Sequence, residues 1–311
     1  MSSKEKIRYI KRADLEVSKY DSCIKNAVNS RIYAYAWYLD IVADHWDALV
    51  LGDYQVVMPL PWRRKYGIPY VYIPAWIAEL GIFFNGNPIN DYYEELFENF
   101  IEIIKSKFSQ IDILLETKLL IKTTKYPIRV SQKLDISKNY SDVKKDYRKG
   151  RKSDLSKGKR NNLQIKWNDD SKNLILLHKK NVAIRLEFYK KKDYINLERL
   201  LNEFQKRKRG MVVSVYDKHK NIIASSFIII NTDEIIGLVT ATDVDFNKIG
   251  ATTFLYDCII KKYSNHKSIF DFAGSSVPSI SKFFRSFGAT DFERIHFVKH
   301  HFLYNFFHKY S

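Results

Sequence analysis

The stretch Ile269-Phe-Asp-Phe-Ala-Gly-Ser-Ser-Val-Pro-Ser-Ile-Ser-Lys-Phe-Phe-Arg-Ser-Phe-Gly288 decides how the chain is read. Ile269 to Phe272 has the character of a buried strand end, Gly274 to Ser276 that of a sharp turn, and Pro278 marks the first turn of a short helix. A strand that stops where a helix begins presents free backbone N–H groups, and α/β proteins place chemistry at such junctions. Phe287-Gly288-Ala289 closes the helix with a glycine at its C-cap, and Glu293 to Lys299 returns as a strand.

Outward from this block, the second half reads as helices followed by three strands, Met211 to Tyr216, Ile222 to Ile230 and Glu234 to Ala241. Residues 193–208 carry apolar positions at helical spacing and end in Lys206-Arg-Lys-Arg-Gly210, a basic terminus suited to the helix dipole. Asn247-Lys-Ile-Gly-Ala-Thr252 is a glycine turn that opens the next helix. The first half alternates strands with helices, among them 91–108 with apolar positions from Tyr93 to Phe108 at amphipathic spacing. The composition shifts at Asp135 to Tyr140, which sets two expected domains, 1–135 and 136–311.

Two basic features stand out. Ser141 to Arg160 reads as one helix, and Lys138 to Arg160 holds ten basic and three acidic residues, a local excess of seven positive charges. Lys144, Lys145, Arg148, Arg151 and Lys152 are its candidate polyanion contacts, set against the alternative of a solvated face. Pro59-Leu-Pro-Trp-Arg-Arg-Lys-Tyr-Gly-Ile-Pro-Tyr-Val-Tyr-Ile-Pro74 reads as an irregular, partly exposed crossing. Its aromatics, with Trp76, would line a groove, edged by cations that seldom enter a core. Trp37, Trp62, Arg63, Arg64 and Tyr72 are the candidate acceptor-binding residues, the alternative being ordinary core aromatics.

The block Phe270-Asp271-Phe272-Ala273-Gly274-Ser275, then Phe284-Arg285, then Phe287-Gly288, resembles the C-terminal signature of the Fem family of non-ribosomal aminoacyl transferases. The segment Pro59 to Gly67, the Leu80-Gly-Ile-Phe83 after it, and the basic run before Leu163 to Trp167 look like further parts of that family. The resemblance implies an α/β fold of two tandem GNAT-like domains, each a mixed twisted sheet flanked by helices. It also implies aminoacyl transfer in peptidoglycan bridge synthesis. The family usually has Lys at the position of Arg285, which keeps the charge and changes its reach and fork geometry. No heptad pattern for the family's coiled-coil insertion is visible.

Moving an acyl group to an amine requires an uncharged amine, an aligned carbonyl and oxyanion stabilisation. Arg285 is the candidate electrophilic group, because a guanidinium cannot act as the base. Asp271 would accept the amine proton or fix the turn after it, and Phe284 would stack on a donor ring or pack. Lys248, Gly250, Ala251 and Thr252 form a candidate donor loop, with one glycine where acyl-CoA enzymes carry a fuller glycine-rich turn. No Ser-His-Asp or Cys-His arrangement is recognisable, which points to direct attack in a ternary complex.

A net charge of +17 favours an anionic partner such as tRNA, a nucleotide-linked precursor or an inner membrane surface, although an AT-rich genome produces the same lysine bias. Hydrophobic content of 45% excludes a disordered chain. The sequence shows no transmembrane run, no signal-peptide core, and two cysteines without metal-ligand spacing, so the expected setting is cytoplasmic, with no metal and no tightly bound cofactor. The expected co-substrate is aminoacyl-tRNA or acyl-CoA. Three functions stand open: a Fem-type aminoacyl or acyl transferase acting on an anionic cell-wall or glycan precursor, an acyl-CoA N-acetyltransferase, and a silent anion-binding module.

Overall fold

The computed structural model describes residues 6–86, 93–116, 126–184, 189–274 and 277–300. The chain forms two compact units, Met1–Arg129 with Glu293–Ser311, and Val130–Phe292.

Unit 1 contains β1 (Ile7–Lys11), α1 (Val17–Asn26), α2 (Ala36–Val42), β2 (His45–Leu51), β3 (Val56–Lys65), β4 (Ile68–Val71), β5 (Phe83–Phe84), α3 (Tyr93–Lys107) and β6 (Gln110–Glu116). Its sheet runs β1-β2-β3-β4-β6, antiparallel except for the parallel pair β4–β6, with β5 on β3. As the spacing predicts, α3 buries Tyr93, Leu96, Phe97, Phe100, Ile101 and Ile104 against Leu49, Met58, Leu60, Ile111 and Ile113. Each such side chain contributes about 1.5–3 kcal/mol.

The expected irregular crossing is instead a regular hairpin of β3 and β4, closed by the two-residue turn Tyr66-Gly67. Both turn residues have positive φ, 51° and 79°, which a type I′ turn requires. The prolines that suggested irregularity lie inside β3, where Pro59 and Pro61 pair with Ala48 and Trp46. Tyr72 donates its backbone N–H to Pro61 O at 3.1 Å, so the backbone of Pro61 faces away from β2. On that side β4 pairing begins only at Trp62, and a missing donor costs nothing to the ladder.

Unit 2 contains β7 (Ile128–Asp135, entering from unit 1), α4 (Tyr140–Lys145), α5 (Lys149–Arg160), β8 (Gln164–Trp167), α6 (Ser171–His178), a π-helical turn (Lys179–Ala183), α7 (Lys191–Lys206), β9 (Gly210–Tyr216), β10 (Ile222–Ile230), β11 (Glu234–Thr242), a 3-10 turn (Val244–Ile249), α8 (Ala251–Tyr263), β12 (Ile269–Asp271) and α9 (Pro278–Arg285). Its sheet order is β7-β12-β11-β10-β9-β8, with only β11–β12 parallel.

The single basic helix expected over 141–160 is broken at residues 146–148. Tyr147 turns inward there and meets Phe287 edge-on at 5.1 Å, and Arg148 donates its N–H to Ser286 O at 2.9 Å. Gly288, at φ 90°, is required by this contact, because a Cβ on it would come within 2.8 Å of Asp146 Cβ.

The last strand, β13 (Thr290–Lys299), leaves unit 2 and pairs antiparallel with β6 from Arg294↔Glu116 to Lys299↔Ile111. The two units do not follow the expected cut at 135/136, since β13 completes the sheet of unit 1. Beside it, Arg31, Glu79, Glu116 and Arg294 form a buried quartet, with Arg31–Glu79 at 2.6 Å, Arg31–Glu116 at 3.6 Å and Arg294–Glu79 at 3.8 Å.

Candidate active site

The parallel pair in unit 2 is short, only Glu234↔Ile269, Ile235↔Phe270 and Ile236↔Asp271. A register shift at Phe227/Ile228 leaves Leu238 as an extra residue on β11, and such a bulge bends and twists its strand. Beyond Ile236, β11 continues to Thr242 without a strand partner on the β12 side among the described residues. Hydroxyls occupy this length: Tyr256 donates to Thr240 Oγ1 at 3.1 Å, Ser226 and Thr240 share a bond of 2.7 Å, and so do Thr242 and Thr252.

At the end of β12 the chain turns through Ala273 and Gly274, at φ 54° and 62°. Left-handed backbone at a non-glycine residue costs on the order of 1–3 kcal/mol. Asp271 Oδ1 holds the turn by accepting the Ala273 N–H at 2.8 Å, the turn-fixing role weighed for it from sequence.

Strand alternation divides the neighbouring side chains between two faces. On one face Arg285 grips Asp291 with Nε and Nη2 at 2.8 and 2.7 Å, and Gln132 Nε2 donates to Asp291 Oδ1 at 3.2 Å and Ser281 Oγ at 2.6 Å. The hydrogen bond to Asp291 raises the pKa of Arg285, and the hydrogen bond from Arg285 holds Asp291 below the usual carboxylate range. On the other face Lys133 Nζ lies 3.5 Å from Asp271 Oδ2 and 3.6 Å over the Phe292 ring, with its side chain 11% exposed. Arg285 and Asp271, the two expected catalytic residues, are thus on opposite faces. The structure pairs each with a group the sequence reading missed, Asp291 and Lys133.

Phe284 is a core residue, 7% exposed and stacked on Phe272 at 4.4 Å, which removes it from the donor-binding set. The donor loop needs a larger correction. Gly250 has φ 80°, and a Cβ there would lie 2.5 Å from Asp154 O. Helix α5 therefore packs directly on the start of α8, and Ala251 beneath it is fully buried. Thr253 Oγ1 donates to Asp154 Oδ2 at 3.2 Å, while Arg151 joins Asp154 at 2.9 Å and Thr253 at 2.5 Å. The backbone of α5 at Asp154 already lies against the turn where a pyrophosphate was expected. Thr252 is spent on Thr242, and only Lys248 of the set is exposed.

The basic run is sorted in the same way. Arg151 is half-buried over Phe283 at 4.4 Å and holds Asp154 and Thr253 with its guanidinium, which leaves little of it for a polyanion. Arg148, Lys145 and Lys152 are exposed, with Lys145 paired to Asp142 at 2.5 Å, and Lys144 lies over Tyr140.

In unit 1 the expected aromatic groove does not form as a set. Tyr72 and Trp76 are buried, whereas Tyr66 is 92% exposed. Trp62, stacked on His45, donates to Asp47 Oδ2 at 2.8 Å, and half-buried Trp37 packs beside Tyr38. Arg63 lies over Tyr72 at 4.3 Å and donates to the Tyr70 hydroxyl, and Arg64 lies 5.8 Å from the Trp62 ring. Ser275, Ser276 and the tail from 301, with His301 and His308, lie outside the described residues. Among the described residues no His/Cys/Asp/Glu group has metal-binding geometry, and no helix is long and apolar enough to cross a membrane.

The sequence matches no protein-family profile and no curated protein. In structure the chain is similar to FemX, with a TM-score of 0.63 over 94% of this chain and 98% of that one at 12% identity. It is similar to the C-terminal domain of a lysylphosphatidylglycerol synthetase from Agrobacterium fabrum, with a TM-score of 0.56 over 91% of each chain at 11% identity. A tandem GNAT protein from the clavulanic acid biosynthesis pathway gives 0.53 over 94% and 98% at 10% identity. The chain has the Fem-like tandem GNAT fold, as the sequence block implied.

Proposed function

We propose that this protein is an acyltransferase that moves an aminoacyl group from an ester donor, aminoacyl-tRNA, to an amine on an anionic cell-wall or surface-glycan precursor. The observation that carries the choice of donor is Asp154 at the start of α8. The backbone of α5 at Asp154 lies directly against that turn, and Asp154 itself is tied up by Arg151 and Lys157, so the phosphates of an acyl-CoA would find the turn covered. A tRNA donor brings its phosphates elsewhere, to exposed cations such as Arg148, Lys149 and Lys152.

In the reaction the amine nitrogen attacks the ester carbonyl, a C–N bond forms, and the C–O bond to the ribose breaks. The ribose oxygen takes up a proton and the amine gives one up. Lys133, with its Nζ 3.5 Å from Asp271 Oδ2, is assigned to the developing oxyanion. Arg285, oriented by Asp291 on the face opposite Lys133, is assigned to a phosphate of the donor away from the reacting carbonyl, through the N–H groups that Asp291 leaves unused.

Labelled aminoacyl-tRNA and an amine-bearing nucleotide precursor test this reading. Transfer by the intact protein should fall about 100-fold in Lys133→Met, the loss typical of one oxyanion donor, and should be abolished in Arg285→Ala. Unchanged turnover in both variants would refute the assignment, and transfer from acetyl-CoA alone would establish the acyl-CoA alternative.

A further inference from the structure

A feature that this function does not use is the tip of the β3–β4 hairpin in unit 1. No acidic residue occurs from Tyr54 to Ala78, and the tip carries Arg63, Arg64, Lys65 and Tyr66 in succession. Among the described residues none of the three cations is paired with a carboxylate. The ring of Tyr66 is 92% exposed on a turn residue at φ 51°, with Lys65 Nζ 5.6 Å from its centre. Asparagine, aspartate or glycine suits this position of a type I′ turn better than a bulky aromatic does. The fold thus accepts a less favourable residue to present an uncovered ring among cations.

We propose that this tip docks on an anionic lipid surface. Tyrosine and lysine or arginine side chains partition at the headgroup level, with rings in the interface and charges among the phosphates. A rigid two-residue tip meets a plane. A nucleic-acid strand, by contrast, needs a groove several nucleotides long with free stacking faces. Here the hairpin's other rings are already taken by its own guanidiniums, Arg63 on Tyr70 and Tyr72 and Arg64 beside Trp62.

Co-sedimentation of the full chain with vesicles tests this directly. Binding should be weak on phosphatidylcholine, strong when about a third of the lipid is phosphatidylglycerol, and weakened by salt, at about fivefold per contacting cation. Arg64→Glu with Lys65→Glu should lose more than tenfold, whereas the same charge change at exposed Lys172 and Lys218 should lose far less. Tyr66→Asn creates the Asn-Gly pair that type I′ turns favour, so it keeps the hairpin's thermal stability and still loses several-fold in vesicle binding. Equal losses from the tip and the control pair would overturn the proposal, because the overall charge would then suffice. So would tip variants that lose binding to single-stranded RNA while keeping their vesicle affinity.

Discussion

Among the described residues each unit contains one parallel pair of strands, and the two pairs end differently. In unit 1, β4 and β6 pair at Tyr70↔Gln110 and Val71↔Ile111, and the chain then returns to the same strand. Leu80 donates its N–H to Leu114 O at 2.9 Å and accepts that of Glu116 at 2.7 Å, sealed by the Arg31–Glu79–Glu116–Arg294 quartet. In unit 2, β11 and β12 part after Ile236 and Asp271 and do not rejoin among the described residues. The open pair is bordered by hydroxyls, a left-handed turn and a nearly buried lysine. The closed pair invests its charges in stability, and the open one leaves backbone and polar groups for a substrate. This difference is the ground on which we propose unit 2 for the chemistry.

The largest effect expected from this contrast is in unit 1. Arg31→Met leaves Glu79 and Glu116 short of a buried cation and should cost about 3–5 kcal/mol in urea unfolding. A loss below about 1 kcal/mol would mean that the quartet does not seal the closed pair. Next is Gly250→Ala, where the left-handed backbone and the contact with Asp154 together should cost about 2–4 kcal/mol. If the variant is neutral, α5 does not press on α8 and the donor loop is free.

Lys133→Met sharpens the contrast, because the pair in unit 2 should matter more for transfer than for folding. The single change should cost about 2 kcal/mol by leaving Asp271 without its cation. The double variant Lys133→Met with Asp271→Asn should recover most of that stability and none of the transfer. Recovery of both would make the lysine structural.

The smallest effect is a pH response. Burial of His178 between α6 and α7 brings its pKa down to about 4, with Nδ1 2.8 Å from the Tyr194 hydroxyl. The unfolded chain therefore takes up this proton first, and stability is lost as pH falls from about 6.5 toward 4, roughly 1 kcal/mol of it by pH 5.5. A His178→Gln variant should lose that part of the slope, as read by urea unfolding at several pH values.

Much of the fold was legible because it is local or periodic. Residues 278–299 declare a proline start, a glycine stop at Gly288 and a following strand, and α3 repeats its apolar positions over four turns. The site was less legible because its pairs are distant in sequence. Gln132 meets Ser281 across 149 residues, and Lys133 stands in a strand with nothing in its own neighbourhood to mark it. Asp154 read as one acid in a basic run, and its seat on α8 follows from a helix break that Tyr147 dictates by turning inward. The hairpin was missed because Tyr66-Gly67 lacks the Asn-Gly or Asp-Gly signal that names such a turn.

The most direct test of the central claim is a salt-titrated binding comparison of the purified protein with aminoacyl-tRNA, uncharged tRNA and acetyl-CoA. The protein should prefer the aminoacylated tRNA, with binding that weakens as salt rises, and should bind little acetyl-CoA. Tight acetyl-CoA binding, or equal affinity for both tRNAs, would contradict it.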